Sequence, residues 1–282
     1  MFPNLEDLSI DEKYIGLFPE DLLCKLKLLD VWIDESTAIL SLDDFLQRFH
    51  TTKILIIGGD EYIFRLVRKV ENGMKAMIRG INRHRGLKQI LKQESSNANN
   101  LENLDICDCH NLINLVPSST SFQNLTTLMV YNCIGLIDVL TSSIAKSLVR
   151  LREMGIGRCK MIIEIVADDG DEGDNYAAKN EIVFSELKEL LLWNLESLTG
   201  FCSGNNCAFK FPSLERLVVD NCPNMNIFSG GELSTPKLHQ VQLKRWDDEE
   251  CWTLDRDLNT TIQYLYLKKK VCIHSLRDVD FL

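Results

Sequence analysis

Apolar residues recur along this chain at a fixed offset. With Leu101, Leu125, Leu151, Leu187 and Leu214 set as position zero, position +3 reads Leu104, Leu128, Met154, Leu190 and Leu217. Position +5 reads Ile106, Val130, Ile156, Leu192 and Val219. Position +8 reads Cys109, Cys133, Cys159, Leu195 and Cys222. Positions +11 and +14 are apolar in all five units as well, ending in Phe201 and Phe228 in the last two. Positions +1, +2 and +4 are mostly polar, with Met129, Leu191 and Val218 as the exceptions. Apolar residues two apart share one face of a strand, so +3 and +5 predict a short core-facing strand in every unit. The turn after each strand brings +8 inside, and +11 and +14 close the coil on its far side.

The pattern L-x-x-L-x-[IVL]-x-x-C is the leucine-rich repeat signature. Weaker copies extend it: Leu5-Leu8-Ile10, Leu26-Leu29-Val31, Thr52-Leu55-Ile57, Leu238-Val241-Leu243 and Ile262-Leu265-Leu267. Between Thr52 and Leu101 a degenerate unit is expected at about 74–91, where Arg79 and His84 occupy apolar sites. About 11 units of about 26 residues result, within the usual 20–29. The expected fold is an α/β leucine-rich repeat solenoid. A curved parallel sheet forms its concave face, and its convex side is irregular or helical. It should span residues 1–267, with an inserted acidic loop at 168–180 and a tail at 268–282. The first unit begins almost at Met1 without a cap, which suggests a fragment or a missing packing partner.

The wording of the repeats is more specific than the signature. Leu112-Ile113-Asn114-Leu115-Val116-Pro117-Ser118-Ser119 leads into Phe122-Gln123-Asn124-Leu125-Thr126-Thr127-Leu128, and Phe211-Pro212-Ser213-Leu214-Glu215 runs on to Asn221-Cys222-Pro223-Asn224-Met225. The chain resembles the leucine-rich repeat region of plant coiled-coil, nucleotide-binding disease resistance proteins. That resemblance implies recognition of a pathogen effector or guarded host protein, and restraint of the receptor's own nucleotide-binding module. No G-x-x-x-x-G-K-[ST] loop occurs, so the switch of a full receptor has no nucleotide site here. The alternative is an F-box-type substrate receptor for ubiquitination, whose repeats also carry a cysteine after the strand.

Composition narrows the chemistry. The chain is 45% hydrophobic and 26% charged with a net charge of −10, which argues against nucleic acid as the partner. No apolar run reaches the length of a membrane span. The N-terminus lacks the basic and apolar regions of a signal peptide, so a cytoplasmic, reducing location is expected, with free thiols. The +8 cysteines stack one per coil and do not converge as zinc ligands would; they are expected to form a core ladder, and Cys107 to be an exposed thiol. The run Asp168–Asp174 does not fit a calcium loop, and Asn124 and Asn259 sit in idle glycosylation patterns. No catalytic constellation is found, so neither enzyme activity nor a cofactor is expected.

The concave columns carry the candidate site. Column +4 contributes Met129, Leu191 and Val218, and column +6 contributes Tyr131 and Trp193. Gly155 and Gly157 leave an expected dent among them, and Arg152, Arg158, Lys188, Arg216, Lys244 and Arg245 ring it with positive charge. Exposed aromatics with arginines are the composition of interaction hot spots, so this face is expected to bind a protein.

Overall fold

The computed structural model describes residues 7–11, 14, 17–19, 26, 28–32, 52–57, 74–79, 99–116, 120–167, 180–204, 207–244, 247–254 and 257–277. The expected register is its organising feature. Strands β1 (Asp7–Asp11), β2 (Leu28–Trp32), β3 (Thr52–Ile57), β4 (Met74–Arg79), β5 (Asn103–Cys107) and β6 (Thr127–Tyr131) begin the main sheet. The chain continues through β7 (Asp138–Thr141), helix α1 (Ser142–Ser147), β8 (Glu153–Gly157), β9 (Glu164–Ala167), β10 (Asn180–Val183) and β11 (Glu189–Trp193). It ends with β12 (Cys207–Lys210), β13 (Arg216–Asp220), β14 (Leu233–Ser234), β15 (Gln240–Lys244), β16 (Asp247–Thr253) and helix α2 (Leu258–Arg277).

Eleven strands form the concave sheet in the order β1-β2-β4-β3-β5-β6-β8-β11-β13-β15-β16. From β5 onward the +3 residues pair across the sheet, Leu104 with Leu128, then Met154, Leu190, Leu217 and Val241. Because side chains alternate faces, this register sends every +3 and +5 residue inward. The result is a parallel β-solenoid of about 5 turns with little helix.

Four features differ from the sequence reading. The convex side is largely irregular, as expected, but not wholly so. It carries two further parallel ladders, β10-β12-β14 and β7-β9, with the six-residue α1 between β7 and β8. β4, within the expected degenerate unit, lies between β2 and β3 and pairs in parallel with both. Parallel pairing needs only a long enough crossover, so sequence order and spatial order part here. His84 and all of the expected acidic loop except Asn180 lie outside the described residues. The third difference is β16, which closes the edge antiparallel to β15.

The fourth difference is α2. Ile262 and Leu265 were expected in a final strand, and the end of the array was placed at 267. Instead helix α2 runs across that boundary, burying Leu258, Ile262 and Leu265 against the last coils. A three-residue apolar spacing suits a helix face as well as L-x-x-L. Asp257 caps the helix: its carboxylate accepts from the Thr260 amide at 2.9 Å and from the Thr260 hydroxyl at 2.6 Å. These bonds hold the Asp257 carboxyl below the usual range.

Asn259 latches this helix to the solenoid. Its Oδ1 accepts from the amides of Phe228 and Ser229, both at 2.9 Å, and its Nδ2 donates to the Ser229 carbonyl at 2.7 Å. The side chain is therefore engaged in the fold. Asn259→Ala strands two amides at a closed coil end, where an unmet donor costs about 1–3 kcal/mol. Contacts in a solenoid are nearest-neighbour, so the loss should open α2 first. Hydrogen exchange should show faster exchange at Phe228, Ser229 and the start of α2, with little change at β5 and β6.

The core lies between the two faces. Leu104, Leu128, Met154, Leu190 and Leu217 are almost fully buried, as are the +8 residues Cys109, Cys133, Cys159, Leu195 and Cys222. Toward the convex side the aliphatic filling gives way to phenylalanine. Phe184 stacks on Phe211 at 5.2 Å, and Phe201 on Phe228 at 5.1 Å.

Candidate functional site

The five coils from β5 to β13 present their even-numbered columns to the concave side. Adjacent strands stand about 4.8 Å apart, and bending the sheet toward this face crowds the side chains there. The consequence is visible along column +4: Asp105, Met129, Leu191, Val218 and Gln242 are all buried. Cys107 at +6 is buried as well and not exposed as expected, because the same crowding covers a small side chain. Burial, with the neighbouring Asp105 and Asp108 carboxylates, pushes its thiol up to about 12, so it stays protonated at neutral pH.

The expected glycine dent is filled. A Cβ on Gly157 would fall 1.9 Å from Trp193 Cε2, and one on Gly155 would fall 2.4 Å from Met129 Sδ and 3.3 Å from Trp193 Cζ3. The indole thus lies across the two glycines of β8, and Trp193 is only 6% exposed. Leu191 and Val218 pack with it. Tyr131, half-buried, stacks against Trp193 with ring centroids 6.2 Å apart and planes at 22°. Met129, Tyr131, Leu191, Trp193 and Val218 are brought together as a largely closed floor on which Tyr131 is half-buried.

The basic residues divide into two groups. Arg152 bonds Glu186 at 2.8 Å, and Arg216 bonds Glu189 at 3.2 Å and Gln242 Oε1 at 3.0 Å. Lys188 and Lys244 are exposed. Arg245 lies outside the described residues. Arg158 sits over the Tyr131 ring, 5.4 Å from its centroid, and extends the aromatic stack with a cation.

One column escaped the sequence reading. Position +7 holds Asp108, Asn132, Arg158, Asn194 and Asn221, all left-handed, with φ between 50° and 57°. That conformation costs an ordinary L-residue about 1–2 kcal/mol and is tolerated best by Asn and Asp. Each coil needs it to turn out of the strand, and the amides of Asp108, Asn132, Arg158 and Asn194 then bond the +6 carbonyl of the next coil, as Asn132 does to Gly157 at 2.9 Å. The side chains also form a ladder. Asn132 Nδ2 donates to Asp108 Oδ1, and Asn221 Nδ2 donates to Asn194 Oδ1 at 2.7 Å. The recurrence of Asp and Asn at +7 was the available signal.

The +8 cysteines also follow one rule. The thiols of Cys109, Cys133, Cys159 and Cys222 each donate to the carbonyl two residues earlier, at 3.3–3.5 Å. Among the described residues no group of three or more His, Cys, Asp or Glu side chains is placed to hold a metal. Among them also, no helix is long and apolar enough to cross a membrane.

Searches of curated proteins and of solved structures found no match. A comparison with protein-family models did, over the coils that carry Tyr131, Arg158 and Trp193. Residues 118–231 match the family described as plant disease resistance protein RPS2-like, leucine-rich repeats.

Proposed function

We propose that this chain is the non-catalytic recognition module of a plant intracellular immune receptor, working in the cytoplasm and binding a protein on its concave strands. The partner is a pathogen effector, a guarded host protein, or the nucleotide-binding module of the parent receptor. The observation that carries the reading is the Tyr131–Trp193 stack under Arg158, formed by β6 and β11 across the β8 strand that lies between them in one sheet. Aromatic and arginine side chains at the centre of a face, on a rigid support, are what protein interfaces concentrate their binding energy in. Arg152, Arg216, Met129, Leu191 and Val218 then support that centre: the first two fix the rim through their ion pairs, and the other three fill the floor. Lys188 and Lys244 supply rim charge, which acts mainly on the rate of encounter.

The test is titration of an effector or host protein already shown to bind, against wild type and the Tyr131→Ala/Trp193→Ala variant. A central aromatic pair is worth about 2 kcal/mol or more, so affinity should fall at least about thirtyfold while circular dichroism shows the coils intact. Unchanged affinity in a folded variant would overturn the assignment of this face. Tyr131→Ala alone removes only a half-buried ring and serves as the check if the double variant unfolds.

A further inference from the structure

Arg158 is the wrong residue for its place in the fold. Four of the five +7 positions carry Asp or Asn, the side chains that accept a left-handed backbone and link coil to coil. Following the direction of the existing links, an asparagine at 158 would donate to Asn132 and accept from Asn194. Arginine has no acceptor atom for Asn194 Nδ2, and its guanidinium lies over the Tyr131 ring and makes no bond to Asn132 Oδ1, so the ladder stops on both sides of it. Among the described residues, Asn132 Oδ1 receives no hydrogen bond and Asn194 Nδ2 makes none. The Arg158 amide still bonds the Trp193 carbonyl at 3.0 Å, which any residue would do. Nothing in the solenoid needs a guanidinium here.

The guanidinium is also uncommitted in charge. Arg152 and Arg216 are held by Glu186 and Glu189, whereas no carboxylate among the described residues pairs with Arg158. It is exposed, and the Tyr131 ring beneath it limits where it can swing. A planar donor fork pre-positioned on an aromatic face matches the geometry of a carboxylate. The Asn194 amide, one coil away, offers a second donor beside it.

We propose that Arg158, seated on the Tyr131–Trp193 stack between Asn132 and Asn194, is the recognition point for a carboxylate on an acidic segment of a protein partner. The proposal rests on the concave face being the binding face. It adds the chemistry of what is bound there. In a chain of net charge −10, an acidic segment is repelled by most of the surface, so an unpaired cation on the sheet also fixes where it docks.

The experiment is a selection from a random peptide library displayed on phage, run on the full chain as wild type, Tyr131→Ala and Arg158→Asn. Arg158→Asn completes the ladder, so it should melt at or above the wild-type temperature, which separates binding from folding. Wild type should enrich peptides carrying Asp or Glu. Each enriched peptide should bind Arg158→Asn about tenfold or more weakly, as expected for a lost charged hydrogen bond. Changing the peptide's acidic residue to its amide should cost the same on wild type and nothing further on Arg158→Asn. Peptides weakened by Tyr131→Ala but indifferent to Arg158→Asn, or without acidic residues, overturn the carboxylate assignment and leave the concave face standing. Peptides indifferent to both substitutions overturn the concave face itself, and a selection that enriches nothing overturns both.

Discussion

Phe201→Ala should be among the most destabilising substitutions in the described coils, at about 3–5 kcal/mol. Phe201 has no exposed surface. Its ring stacks on Phe228 at 5.1 Å and meets Phe209, Phe211 and Phe184 edge-on at 5.4, 5.6 and 6.1 Å. Those partners come from coils on both sides of its own, so the ring ties three coils together. Its backbone is tied the same way: the Phe201 amide bonds the Phe228 carbonyl, and its carbonyl accepts from Ile165 and Val166. Removing the ring leaves a cavity that rigid β ladders cannot collapse, and it removes aromatic pairs worth about 0.5–1.5 kcal/mol each beyond their burial. A domain has only about 5–15 kcal/mol to lose. Urea denaturation should show a large fall in midpoint for Phe201→Ala and a much smaller one for Phe201→Leu, which keeps most of the volume. A loss under about 1 kcal/mol for the alanine variant would mean that the convex ladders do not cooperate with the concave sheet.

What the sequence disclosed and what it withheld follow from the kind of information a periodic pattern carries. Inside-or-outside alternation is a local property, so Leu104 to Leu217 and the cysteine column could be placed without a structure. Curvature is not local. Met129, Leu191 and Val218 occupy outward positions by alternation, and they are buried because neighbouring coils converge on the concave side. The same effect closed over Cys107. The filled dent was legible in principle: two glycines on β8 in register with Leu191 and Trp193 on β11 leave room that a large side chain takes. Ile262 and Leu265 were ambiguous because three-residue spacing serves strand repeat and helix alike. The deciding signals were a capping Asp257 ahead of them and no cysteine eight residues on. The +7 column was missed because its role is conformational, and a search for apolar positions passes over it.

Asp105 should make the fold lose stability as pH rises, the reverse of what most paired carboxylates do. It lies in the buried +4 column, 9% exposed, in register with Ile56 and Met129, and its Oδ1 has no hydrogen-bond partner. Burial first, and the Glu153 carboxylate second, push its pKa from 3.8 to about 7. The unfolded chain gives up this proton near pH 4, and the folded chain keeps it until about pH 7. Below pH 4 the acid is neutral in both states and costs the fold nothing through its charge. Between these values folding must take up a proton, so stability declines steadily, and above pH 7 the full penalty applies, on the order of 4 kcal/mol. Asp257 works in the opposite sense, since its depressed pKa withdraws stability only as pH falls below the usual carboxylate range. The two windows barely overlap. Asp105→Asn mimics the neutral acid and should match wild type near pH 4 while exceeding it clearly at pH 8. Urea midpoints of both proteins across that range would measure it. Parallel pH profiles would mean that the folded state keeps the Asp105 carboxylate ionised, hydrated or paired. A rising advantage for Asp105→Asn would show that the concave centre at β5 is dry enough to hold a carboxyl neutral, and therefore that this part of the face contributes shape, not charge, to whatever it binds.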